Sequence, residues 1–315
     1  MNTSPEELEK RLSQLKKAVP SRGLARHPSL LRRISELPPE LQSLALKSTL
    51  AGEEIKQIIS FPPQIHRGNH YVPKQALLFT PSGVLHILGS IWPEQEPTIA
   101  YLRVSGLMYV KVTLILLYGF LEIVAQGTTS PTRLGVEFNT VAWDLMSRPI
   151  RQMLEADEER HSDITGGIPF YQRRESALEK LPLKFFNGAR IYGILPGEEL
   201  EEIAFQSTVW ERKLVLFRRN IIANTLLLLT SNYMVTIQEE LNVPQGWIIT
   251  YIPRKSILCI QNRSFNEWNE LTVNLTRNGQ ATTCKIRLKN EVTQDWYKCW
   301  IQHGGQWQDL PIPTS

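Results

Sequence analysis

His66 and His70, four residues apart, and His86 further along are the side chains best suited to ligating a transition metal. Neutral imidazole is a strong ligand, and two histidines at that spacing share one face of a helix. Gly68 between them and Pro63 and Pro73 on either side argue for a loop instead, and no nearby carboxylate cluster completes a ligand set. The competing reading is a pair of solvated loop histidines, with His86 at an outward strand position. Cys259, Cys284 and Cys299 lack the CxxC spacing of zinc and redox sites and read as buried free thiols. Cys259 and Cys284 are expected on neighbouring strands, but spacing alone does not make a disulfide. The run Glu155 to Glu159 offers paired carboxylates for acid–base work, yet a charge run of this kind is the usual look of a solvated linker. There is no GxGxxG, P-loop or GxSxG element. No catalytic residue, metal or cofactor is therefore assigned, and the chain is expected not to be an enzyme.

The elements that must position any site are those of an ordinary globular chain. Of its 315 residues, 42% are hydrophobic and 21% charged, and the length suggests about two domains. The longest apolar stretch, Val112 to Val124, is interrupted by Thr113, Gly119 and Glu122 and falls short of the roughly 20 residues of a membrane-spanning helix. It is expected to form a buried strand or strand pair. The N-terminus is charged and lacks the apolar core of a secretory signal, which places the protein in the cytoplasm as an expectation. The formal net charge is +4, and residues 1–36, with eight Lys or Arg against four Glu, carry all of it. The neutral remainder argues against a nucleic-acid partner. Leu8, Leu12 and Leu15 predict an amphipathic helix over 5–18, and the basic stretch from Arg22 to Arg33 after it either docks on an acidic surface or packs on the body.

From Leu37 onward the chain repeats itself. The first pass reads as a short helix opening at Leu37-Pro38-Pro39, a β-branched run after Glu54, and Ala76 to Thr80, a turn at Pro81-Ser82-Gly83 and Val84 to Ile87. Strand-like runs at Ala100–Val104, Met108–Leu117, Phe120–Ala125 and Leu134–Phe138 follow, then Asn139 as an N-cap and a helix in which Pro149 predicts a kink or an end. The second pass begins at Leu181-Pro182-Leu183. Gly197-Glu198 answers Gly52-Glu53, and Thr230 to Ile237 aligns without a gap on Thr80 to Ile87. Asn290 answers Asn139, the offset drifting only from 144 to 151 between Leu37/Leu181 and Asn139/Asn290. Matches in constant order at nearly constant offset indicate duplication.

Each pass ends on a helix, and in the second this carries Val292, Trp296, Tyr297 and Trp300 at helical spacing. The run Leu226 to Ile237, the step Ile252-Pro253-Arg254-Lys255-Ser256-Ile257 and Trp296 resemble the bacterial PH-like and GRAM-like versions of the pleckstrin-homology fold. The resemblance covers about 190–305 well and 50–154 less well. It implies an α+β, mainly β fold: two antiparallel sandwich or barrel modules, each closed by a C-terminal helix. The domains are expected as a helical basic extension over 1–50, a first module over 51–155, a connecting segment over 156–190 and a second module over 191–315. The resemblance also implies where binding chemistry sits, in the loop between the first two strands. There the second copy offers Arg212, Lys213, Arg218 and Arg219, and the first offers Arg67 and Lys74 beside His66 and His70. The expected function is a non-catalytic adaptor or regulatory protein with a protein partner. The alternatives are a peripheral membrane protein binding anionic lipid head groups through the basic loops, and an enzyme or metal-binding protein using the His66/His70 loop.

Overall fold

The structure, a computed structural model, describes residues 27–49, 53–66, 70–90, 95–156, 177–214, 217–241 and 243–310. The helix expected over 5–18, Arg67 and residues 157–176 of the expected linker lie outside them. The chain divides into two compact units, one of residues 1–104 with 138–156 and one of 105–137 with 157–315.

In the first unit, β1 (Ser29–Leu31), β2 (Gln57–Phe61), β5 (Gln75–Phe79), β6 (Gly83–Leu88) and β7 (Thr98–Arg103) form an antiparallel sheet in the order β1-β2-β5-β6-β7. Strands β3 (Gln64–His66) and β4 (His70–Val72) make a separate hairpin between β2 and β5. Strand periodicity decides what is buried: Ile58 pairs with Leu78, and Leu78 with Leu85, so one row of apolar side chains crosses three strands. Helix α1 (Pro39–Ser48) lays Leu41 and Ala45 on that row. Its first turn is prepared by Pro39, whose ring fixes φ in the helical range. Helix α2 (Trp143–Glu155) runs through Pro149, so of the kink or end expected there the end does not occur. The Leu145 carbonyl that Pro149 cannot satisfy accepts a hydrogen bond from Gln57 Nε2 at 3.1 Å. Asn139 caps a 3-10 turn, Thr140–Ala142, by accepting from the Val141 N–H at 3.0 Å.

The second unit holds β8 (Leu107–Ile115), β9 (Tyr118–Ala125) and β10 (Thr132–Asn139), whose last two residues fall in the first unit. It continues with α3 (Leu183–Gly188), β11 (Leu200–Gln206), β12 (Val209–Leu214), β13 (Phe217–Ile222), β14 (Thr225–Thr230), β15 (Tyr233–Glu240) and β16 (Val243–Pro253). The chain ends on β17 (Ile257–Ser264), β18 (Trp268–Arg277), β19 (Gln280–Lys289), α4 (Asn290–Gln302) and β20 (Trp307–Asp309). A seven-stranded sheet runs β10-β9-β8-β16-β15-β14-β11 and a four-stranded one β19-β18-β17-β20. Both are open, so the barrel form of the expectation does not describe them. Their common core joins Leu227, Leu229, Met234 and Ile252 to Leu271, Val273 and Leu288, with Trp296, Cys299 and Trp300 of α4. Met108, Tyr109 and Val124 complete it from β8 and β9.

Helix, strand, hairpin, three strands, 3-10 turn, three strands and helix thus occur twice in the same order. The agreement reaches individual bonds. Thr80 Oγ1 accepts from the Gly83 N–H at 3.0 Å, and Thr230 Oγ1 from the Tyr233 N–H at 3.2 Å. The Val104 N–H donates to the Ser82 carbonyl at 2.9 Å, and the Arg254 N–H to the Asn232 carbonyl at 2.8 Å. Ser82 Oγ donates to Glu53, while Glu198 accepts from both N–H and Nδ2 of Asn232, each at 2.9 Å. The two asparagines before the last helices do not correspond in this way. Asn290 is the first residue of α4 and bonds Asn269 and the Asn266 carbonyl, with no capping role. Repeat and compact unit also differ: β8 to β10 come from the first repeat, yet β8 pairs with β16 from Trp247↔Leu114 to Tyr251↔Val110. Gln280 fastens the same segment by two bonds to Gly127, at 2.9 and 3.0 Å.

Candidate functional site

The basic residues expected on a loop lie on a hairpin. Strands β12 and β13 pair apart from the main sheet, leaving it after β11 and rejoining it at β14. Arg212 and Lys213 are on β12, Arg218 and Arg219 on β13, and the register sets Arg212 opposite Arg218 and Glu211 opposite Arg219. The side chains of residues 211–220 lie outside the described ones. Like charges at a cross-strand pair destabilise a hairpin, by roughly 0.2–1 kcal/mol, unless a counter-charge lies between them. Trp210, at the base of β12, is 57% exposed.

The corresponding residues of the first repeat are arranged differently. Lys74 is half-exposed and bonds Glu40 of α1 at 2.8 Å, which holds the Glu40 carboxyl below its usual range. His66 and His70 are opposite one another at the end of the β3–β4 hairpin, in a strand pairing and not on a helix or an irregular loop. Their side chains, and Arg67 altogether, lie outside the described ones.

His86 corrects the expectation of an outward position. It is 8% exposed, bonds Gln75 Oε1 through Nε2 at 2.9 Å, and burial pushes its pKa down to about 4. Both faces of β6 are covered, so alternation along the strand carries no inside–outside signal here. Thr236, its counterpart in the second repeat, is buried too. Cys259 and Cys284 are not neighbours, because β18 lies between their strands. Cys259 is opposite Asn274 and Cys284 opposite Val273, successive residues that point to opposite faces. Burial pushes the Cys284 thiol up to about 12, so it is a poor nucleophile at neutral pH. Among the described residues, no group of three or more His, Cys, Asp or Glu side chains could hold a metal ion. Among them also, no helix is long and apolar enough to cross a membrane.

Sequence reasoning missed the tip of the β8–β9 hairpin. The stretch Val112 to Val124 is indeed a strand pair, but Leu116 and Leu117 between the strands are each 67% exposed. Leu116 has φ 51°, the left-handed region that glycine and asparagine favour and leucine rarely enters. The five apolar residues Leu114 to Tyr118 hide such a turn, since no Gly, Pro, Asn or Asp stands at the turn positions themselves. Comparison with known proteins adds no assignment: no family model matches the chain and no curated protein matches it.

Proposed function

We propose that this chain is a non-catalytic adaptor or regulatory protein built from two PH-like modules, and that the β12–β13 hairpin is the recognition element of the second. One observation supports this above the others: the repeats agree in the bonds that hold their turns and differ in the hairpin between their first two strands. Glu53 and Glu198, Thr80 and Thr230 serve the framework in the same way. The hairpin carries His66 opposite His70 in one repeat and Arg212 opposite Arg218 in the other. A variable element on a repeated framework is where binding specificity resides. The cross-strand arginines suit a partner that presents carboxylates or phosphates. In the adaptor reading the partner is an acidic protein segment. A polyglutamate peptide is the probe: binding is expected at low salt, weakening as salt rises, and lost in Arg212→Glu with Arg218→Glu. Binding that ignores this double substitution overturns the hairpin's role.

A second reading, an anionic membrane surface as the partner, is favoured by the exposed Leu116-Leu117 tip, because acidic peptides give an apolar hairpin tip nothing to bury. Sedimentation with phosphatidylserine-containing vesicles separates the two readings.

A further inference from the structure

The registers of the seven-stranded sheet place the basic hairpin and the apolar tip at the same end. Gln206 of β11 pairs with Thr225, Thr225 with Gln238, Gln238 with Ile248, Ile248 with Thr113 and Thr113 with Phe120. That row crosses the sheet from β11 to β9. Beyond it β11 and β14 give way to the β12–β13 hairpin, and β8 and β9 to the Leu116-Leu117 turn. Strands β14 and β8 are three spacings apart in the sheet order, about 14 Å at the usual strand separation.

We infer that this end of the second unit is a membrane-docking face, in which Leu116 and Leu117 enter the bilayer interface while the β12–β13 hairpin contacts anionic head groups. The inference rests on the membrane reading of the proposed function and adds to it the inserting residues. Two observations and one energetic argument carry it. Both leucines are two-thirds exposed, and Tyr118 beside them and Trp210 across the same end are 38% and 57% exposed. Tyrosine and tryptophan are the residues that settle at the head-group level. Leu116 occupies a left-handed turn position where glycine or asparagine would be less strained. Finally, neither signal suffices alone: a short apolar insertion gives weak, reversible binding, and stable association takes a second, electrostatic contribution. Acidic residues at this end include Glu211 of β12, set opposite Arg219 by the register, Glu137, whose charge acts on Tyr118, Glu239, bonded to Lys184 and Asn224, and Glu240. Leu116 and Leu117 carry no charge, so the attraction of the tip itself is apolar.

The test uses the full chain and two variants, Leu116→Asn with Leu117→Ser, and Arg212→Glu with Arg218→Glu. Phosphatidylserine-containing and pure phosphatidylcholine vesicles are sedimented with each. The unsubstituted chain is expected to bind the anionic vesicles, the leucine variant about tenfold or more weakly with the salt dependence retained, and the arginine variant more weakly with a smaller salt dependence. Asparagine tolerates the left-handed turn, so the leucine variant is expected to melt no lower than the unsubstituted chain. A chain carrying Leu117→Trp should show extra tryptophan emission quenched by brominated lipids. If vesicle binding survives the leucine substitutions unchanged and the introduced indole escapes quenching, insertion is refuted while the membrane reading stands. No binding to either vesicle refutes both. Loss of polyglutamate binding in the leucine variant would make the tip a protein contact and also refute insertion.

Discussion

The side-chain amide of Gln57 on β2 donates to the carbonyl of Leu145 on α2 at 3.1 Å, the carbonyl left without an intrahelical donor by Pro149. A proline inside a helix removes one hydrogen bond and crowds the preceding turn, which is why the sequence predicts a kink or an end there. The sheet supplies the missing donor, and the helix continues to Glu155.

Gln57→Ala should therefore cost the first unit about 1 kcal/mol, the usual net worth of a partly buried hydrogen bond. In a Pro149→Ala background the backbone N–H regained at that position serves the Leu145 carbonyl, and the same substitution should cost markedly less. Urea unfolding of the four proteins of this cycle checks it; equal costs in both backgrounds would show that Gln57 does not act through Leu145.

His86 makes the first unit acid-sensitive. The unfolded imidazole takes up its proton near pH 6.5, whereas the buried ring does so only near 4. Between these values the unfolded state binds more protons, so stability rises with pH and is lost as pH falls from 6.5 towards 4. The loss between pH 7 and pH 5 should be about 2 kcal/mol. His86→Gln, which cannot titrate, should flatten the pH dependence of the urea midpoint across that window.

Glu198 and Glu53 hold equivalent turns, but unequally. Glu198 is 1% exposed and accepts two bonds from Asn232, while Glu53 is more open to solvent and bonds Ser82. Burial raises the Glu53 carboxyl, but bonds from Ser82, Thr80 and Tyr101 outweigh it and hold it below the usual range. Glu198→Ala strands two donors and should cost about 2–3 kcal/mol, against about 1 kcal/mol for Glu53→Ala. Thermal melts of the two variants compare these costs directly, and a larger loss for Glu53→Ala would contradict this ordering.

The framework was legible in the sequence because its signals are local. Proline before each first helix, Thr at the entry of each tight turn and alternation along the strands after it are properties of a few adjacent residues. The strand runs from Ala100 to Phe138 became β7 to β10 for the same reason. What failed depended on contacts distant in sequence. Nothing near Pro149 announces Gln57, and nothing near His86 shows that both faces of β6 are covered. Cys259 and Cys284 look like neighbours only until β18 is placed between their strands. At the candidate site, the basic residues were legible as a cluster but not as a paired hairpin. The Leu116-Leu117 tip was invisible, because exposure of an apolar residue is a property of the fold and not of its type.

The central structural claim is that β8 to β10, although part of the first repeat, complete the sheet of the second. Amide hydrogen exchange on the full chain, followed by mass spectrometry, tests this most directly, because residues that open together exchange together. Peptides covering residues 107–125 should be protected to the same degree as those covering β14 to β16, and should stay so at pH 5 while residues 57–103 begin to exchange faster. If residues 107–125 instead exchange in step with 57–103, the pairing of β8 with β16 is not what holds them, and the claim fails.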